Sequence, residues 1–115
     1  MLKSIPPQET QSWQRLAAHY EEIKDVHLRD LFAEDPQRFE TFSLAFNSIL
    51  VDFSKNRMTE NTLNLLMGLA DELGLQDAIV KMFAGDRVNA TEDRPVLHVA
   101  LRNRTNRPIV VDGQD

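Results

Sequence analysis

Apolar residues recur at helical spacing through the first third of the chain and then switch to alternation. Trp13, Leu16, Ala17, Tyr20 and Ile23 fall three or four positions apart, which puts them on one stripe of a helix. Thr10 or Ser12 opens that helix, since either side chain can accept a backbone N–H of the first turn. Leu28, Leu31 and Phe32 make a shorter second stripe. Asp35-Pro36 predicts a further start, because proline at the first helical position gives up no needed hydrogen bond, and its single turn reaches Phe39. From Phe42 the period becomes two. Phe42, Leu44 and Phe46 alternate with Ser43 and Ala45, and Ile49, Val51 and Phe53 alternate with Leu50, Asp52 and Ser54. Asn47-Ser48 between the runs suits a tight turn, since asparagine tolerates positive φ. The pattern predicts a β-hairpin over residues 41–54, which needs a surface to pack on, because two strands alone are marginal in water.

Helical spacing then returns. Thr59 caps a helix in which Leu63, Leu66, Met67, Ala70 and Leu73 share a face, and Gly74 stops it in the left-handed conformation. Gly68 inside it costs about 1 kcal/mol relative to alanine, which points to close approach of a neighbouring element. Ala78, Ile79, Met82 and Phe83 mark the next helix, ending at Gly85. A last helix is expected over residues 94–103, with Leu97, Ala100 and Leu101 inward and Arg102 and Arg104 at its negative end. Ile109-Val110-Val111 is a short β-branched run before the turn signal Asp112-Gly113. It has no partner strand in the sequence, so the chain reads as cut rather than finished. Together the elements give a mainly α fold with one small β-hairpin (α+β) in a single segment, 1–115.

Composition narrows the functional classes. A chain of 115 residues with 42% hydrophobic and 27% charged positions has the makings of one modest globular core. The absence of cysteine excludes disulfides and thiolate metal sites. A formal net charge of −5 disfavours nucleic acid and anionic membranes as partners. Met1-Leu2-Lys3-Ser4-Ile5-Pro6-Pro7 lacks the apolar stretch of a secretory leader, and no run approaches a membrane span. A cytoplasmic location is the expectation.

Three histidines are the natural catalytic suspects. His98 lies between Leu97 and Ala100 and is expected to be partly buried and structural, as no Ser, Lys or carboxylate completes a dyad on its face. His19 and His27 sit beside charged residues and are read as solvated. There is no HExxH pattern, and no metal site is expected. The pairs Glu21-Glu22, Glu34-Asp35, Asp71-Glu72 and Glu92-Asp93 are adjacent, so on a helix their carboxylates diverge and cannot act on one substrate atom. Arg87, Arg94, Arg102, Arg104 and Arg107 supply five of the 13 basic residues of an acidic chain. They allow a phosphate- or nucleic-acid-binding face, or salt bridges and helix-end pairing within a larger protein. No aromatic residue interleaves with them for base stacking, and no glycine-rich phosphate loop is present, so the structural reading is preferred.

Several motifs resemble the N-terminal region of the glucose-6-phosphate isomerase (phosphoglucose isomerase) family. They are Gly85 with Asn89-Ala90-Thr91-Glu92, then Leu97-His98-Val99-Ala100-Leu101-Arg102-Asn103-Arg104, then Pro108-Ile109-Val110-Val111-Asp112-Gly113. Val51-Asp52-Phe53-Ser54-Lys55-Asn56 matches upstream, and Phe39 with Phe42-Ser43 more weakly. The resemblance implies an enzyme of glycolysis and gluconeogenesis that interconverts an aldose and a ketose phosphate by proton transfer through an enediol. That chemistry uses a glutamate base, a histidine–lysine pair for ring opening, an arginine for developing charge and a serine/threonine cluster for the phosphate. It further implies that these groups lie downstream, in α/β sugar-isomerase (SIS-type) domains absent here. No catalytic, substrate-binding, cofactor-binding or metal residue is therefore assigned to this chain, and no cofactor is expected. The expected partners are a sugar phosphate for the full-length parent and a second copy in a homodimer, with the early helices and hairpin packed outside the larger domains. Pro95 stands where the family usually has alanine, and it disfavours helix at Arg94. The rival reading is a small interaction or anion-binding module built on Arg87, Arg94, Arg102, Arg104 and Arg107; a structural fragment without activity is a third.

Overall fold

The computed structural model describes residues 4–114; the first three positions of the leader reading lie outside the described residues. They divide into two compact units: Gln11–Met67, and the chain from Gly68 onward with the residues up to Thr10. The architecture is helical with one two-stranded antiparallel sheet, as the hydrophobic periods predict.

In the first unit α1 (Gln11–Ile23) leads to α2 (Leu28–Glu34). His27 caps α2, its Nδ1 accepting the Arg29 N–H at 3.1 Å. The next helix, α3 (Arg38–Thr41), starts at Arg38 and not at Pro36. The reason is local: Asp35 Oδ1 accepts the Gln37 N–H at 3.0 Å, which closes a turn through Pro36 before any helix begins. Strands β1 (Ser43–Phe46) and β2 (Ile49–Asp52) then pair with Leu44 opposite Val51 and Phe46 opposite Ile49. Asn47 sits in the turn at φ +52°, the role its side chain suits.

The core of this unit lies below the hairpin, not between its strands. Phe42, Ser54 and Met58 are buried, and Phe42 meets Phe53 edge to face with centroids 6.0 Å apart. The strands carry a sheet's alternation, but neither face is covered. Leu44, Phe46, Ile49, Leu50 and Val51 are all exposed, Phe46 at 72%.

Helix α4 (Glu60–Glu72) opens on Thr59, as expected. The Thr59 N–H donates to Thr62 Oγ1 at 2.9 Å and the Thr62 N–H returns to Thr59 Oγ1 at 3.4 Å. This is the reciprocal arrangement of a capping box, with threonine in place of the usual glutamate. Of the expected inward stripe, Leu63, Ala70 and Leu73 are half-buried, but Leu66 and Met67 are exposed and Leu65 and Leu69 are half-buried instead.

In the second unit, Gly74 (φ +73°) separates α4 from α5 (Leu75–Ala84). Gly85 (φ +80°) ends α5, where its N–H meets the Met82 carbonyl and the Asp86 N–H meets the Lys81 carbonyl, the Schellman pairing. A Cβ on Gly85 would stand 2.9 Å from Val111 Cγ2 and 3.4 Å from the Val110 carbonyl oxygen, so glycine lets the Ile109–Val111 segment cross there. That segment turns back through Asp112-Gly113, with Val111 and Gln114 exchanging backbone hydrogen bonds.

The helix expected over 94–103 is not formed; the region holds one 3-10 turn, Ala100–Arg102. Arg94 exchanges both backbone bonds with Asn89 across an antiparallel bridge, and Asp93 is left-handed at φ +49°. With its N–H and C=O committed sideways and Pro95 behind it, Arg94 cannot enter a helix. The apolar spacing of Leu97, Ala100 and Leu101 was helical, but the backbone chemistry upstream overrode it.

Candidate functional site

The three histidines fall into three different environments. His19, expected to be solvated, is only 6% exposed. It faces inward from α1, with Nε2 2.7 Å from Thr62 Oγ1 and Nδ1 3.1 Å from Glu22 Oε2. Charged neighbours in sequence do not make it solvated: Glu22, almost one turn on, reaches back to the buried ring, while Glu21 pairs with Lys24. With the ring proton on Nδ1, the order Thr62–His19–Glu22 has the form of a hydroxyl–base–carboxylate relay. Thr62 Oγ1, however, also accepts the Thr59 N–H at 2.9 Å, so its proton and a lone pair hold α1 against the start of α4. His98, expected to be partly buried, is exposed, because the helix that would have carried it inward is absent. His27 is exposed, and its role is the cap on α2.

The arginine cluster divides. Arg87 bridges two acidic residues, with Nη1 3.0 Å from Asp93 Oδ2 and Nη2 2.8 Å from Asp112 Oδ2. The Asp112 hydrogen bond, then the charges of Asp112 and Asp93, raise its pKa further. It stands in the wall of an open cavity of about 400 Å³ with Asp86, Asp93 and Asp112, its charge more than offset by the carboxylates around it. Arg94 Nε and Nη2 hold Glu92 Oε2 at 2.8 and 2.5 Å, and Asn89 Nδ2 donates to the same oxygen at 2.8 Å. Arg102 Nη1 donates to the His98 carbonyl at 3.3 Å, which keeps the helix-end idea alive in a single turn. The guanidinium groups of Arg104 and Arg107 have no partner among the described residues. They line a second cavity of about 480 Å³ with Phe83, Val99, Arg102, Thr105 and Ile109.

The side chain that organises the first unit was missed by sequence reading. Arg38 is buried, 2% exposed, and makes no salt bridge among the described residues. Its Nε donates to the Ser54 carbonyl at 2.9 Å, and Nη2 donates to the Asn56 and Met58 carbonyls at 2.8 and 2.9 Å. The guanidinium carbon lies 4.7 Å from the Phe42 centroid and 5.5 Å from that of Phe32, within cation–π range. The available signal was the i,i+4 pair Arg38/Phe42 at a helix, which puts a guanidinium over a ring. Next to it, Asp52 Oδ1 accepts the Ser54 hydroxyl at 2.6 Å and the Ser54 N–H at 2.9 Å, and these bonds hold its pKa below the ordinary aspartate value.

Among the described residues no group of three or more His, Cys, Asp or Glu could hold a metal ion, and no helix is long and apolar enough to cross a membrane. The polar groups with defined geometry bind backbone carbonyls, helix ends and each other. Their chemistry is that of fixing loops.

Comparison with known proteins agrees with the motifs. The phosphoglucose isomerase family matches residues 52–115, from the end of β2 through the last turn. The glucose-6-phosphate isomerase of Desulforapulum autotrophicum is 56% identical over 115 residues, 100% of this chain. The chain spans 21% of the length of that relative.

Proposed function

The chain belongs to the phosphoglucose isomerase family, and we propose that it is the N-terminal segment of a glucose-6-phosphate isomerase. The parent protein would interconvert glucose 6-phosphate and fructose 6-phosphate in the cytoplasm, in glycolysis and gluconeogenesis, without a cofactor and as a homodimer. The observation that carries the reading is 56% identity sustained across the whole chain.

The role of these 115 residues in that reaction is structural. Moving a proton between adjacent carbons needs a base within hydrogen-bond reach of the sugar and an acid for ring opening. Several groups of that kind in this chain are otherwise engaged: His19 is tied to Thr62 and Glu22, His27 caps α2, and Glu92 neutralises Arg94. We assign no catalytic, substrate-binding or metal residue to this segment and place the chemistry in sugar-isomerase domains elsewhere in the parent. Neither nucleic acid nor membrane is a proposed partner. The test is a coupled assay on full-length parent protein, purified free of host isomerase. Turnover of glucose 6-phosphate supports the reading, and a well-folded parent without it overturns the reading.

A further inference from the structure

We propose that Arg104 and Arg107, with the apolar side chains around them, are a docking surface for an acidic patch on the part of the isomerase outside these 115 residues. The inference rests on the reading above that the chain is one segment of a longer protein.

Three observations carry it. The first is a local reversal of charge. The chain has a net charge of −5, yet residues 95–111 hold three arginines and no carboxylate. The second is how those charges are used. Arg87 and Arg94 are neutralised by Asp93, Asp112 and Glu92, and Arg102 is held by a carbonyl. Arg104 and Arg107 are left over among the described residues. The third is what surrounds them. Their cavity of about 480 Å³ has Phe83, Val99 and Ile109 in its walls, and nearby Leu101 is 85% exposed.

The combination selects the occupant. A purely cationic groove would suit free phosphate, but this one places large apolar side chains beside the cations, and those gain only when a surface covers them. Guanidinium is weakly hydrated and presents a planar fork that matches a carboxylate, so it tolerates burial in an interface far better than an ammonium group. The cover is therefore a surface bearing Asp or Glu flanked by apolar residues. The isomerase it matches supplies ample chain for it, since this segment is 21% of that length.

Hydrogen exchange on the full-length parent, read by mass spectrometry over residues 95–111, tests the docking. In the wild type the segment is protected, and protection weakens as ionic strength rises. In R104Q/R107Q, exchange there quickens several-fold while α1 is unchanged. Equal exchange in wild type and variant, or protection indifferent to salt, overturns the proposal. So does a gain of protection on adding inorganic phosphate to the wild type, which would mark an open anion site. Turnover is measured on the same preparations. Its absence would count against the isomerase reading alone, because docking is decided by exchange.

Discussion

Removing the Arg38 guanidinium should cost the first unit a large share of its stability. Arg38→Met keeps the length and most of the volume of the side chain but has no donor. The Ser54 and Met58 carbonyls then lose their charge-assisted bonds of 2.9 Å, while Asn56 is exposed enough for water to replace its partner. Hydrogen bonds to a charged group contribute about 1.5–3 kcal/mol each, so two losses amount to roughly 3–6 kcal/mol. The stacking on Phe42 at 4.7 Å adds about 0.5–2 kcal/mol. Against this, the variant escapes the cost of desolvating a buried cation, which is several kcal/mol. The balance is a loss of about 2–4 kcal/mol, large beside a typical domain stability of about 5–15 kcal/mol. Arg38→Ala should lose more, through the cavity it leaves. Arg38→Lys should lose less, since it keeps the charge and one bond but not the fork. Urea unfolding followed by far-ultraviolet circular dichroism measures all three, as a lower midpoint at unchanged slope. An Arg38→Met unfolding free energy within about 0.5 kcal/mol of wild type, the range of an ordinary surface substitution, would refute the reasoning, because the carbonyls would then be satisfied without the guanidinium.

Thr62→Val should cost about 1–2 kcal/mol by urea unfolding, as it removes the acceptor of the Thr59 N–H and the partner of His19; no change would mean the hydroxyl is dispensable. The Asp52 carboxyl should titrate below the ordinary aspartate range by NMR, and Ser54→Ala should move it up, because the Ser54 bonds lower it. A depressed folded pKa contributes stability that is present above the unfolded value and lost as pH falls through the folded one, so the effect belongs to the acid limb below about pH 4. Asp52 titrating at or above the ordinary value would contradict it. The isolated chain should self-associate through its uncovered hairpin, and Phe46→Lys with Val51→Lys should reduce that association in sedimentation. A wild-type chain that stays monomeric at high concentration counts against this.

The fold was legible wherever a local signal and a packing signal agreed. Asn47 at the hairpin turn, Thr59 before α4 and Gly85 after α5 each have one conformation that their chemistry favours, and the structure places them there. The failure at 94–103 came from reading apolar spacing alone: the Asn89–Arg94 bridge and left-handed Asp93 are set by residues upstream of the stripe. His19 and Arg38 failed differently. Both are polar residues turned inward, and what satisfies them lies far along the chain, Thr62 for one and the carbonyls of Ser54, Asn56 and Met58 for the other. Charge near a residue in sequence says little about which side of a helix it occupies. The arginine cluster was visible as composition, but its division into neutralised and unpartnered members depends on folding Asp93 and Asp112 against Arg87.

The central claim is that this segment builds and braces an isomerase whose chemistry lies elsewhere in the polypeptide. It is tested most directly by assaying glucose 6-phosphate conversion in parallel on the full-length parent and on the purified 115-residue chain, both from a host lacking its own isomerase. The account predicts turnover by the parent and none by the short chain. Turnover that follows the short chain through purification, or a folded parent that has none, would contradict it.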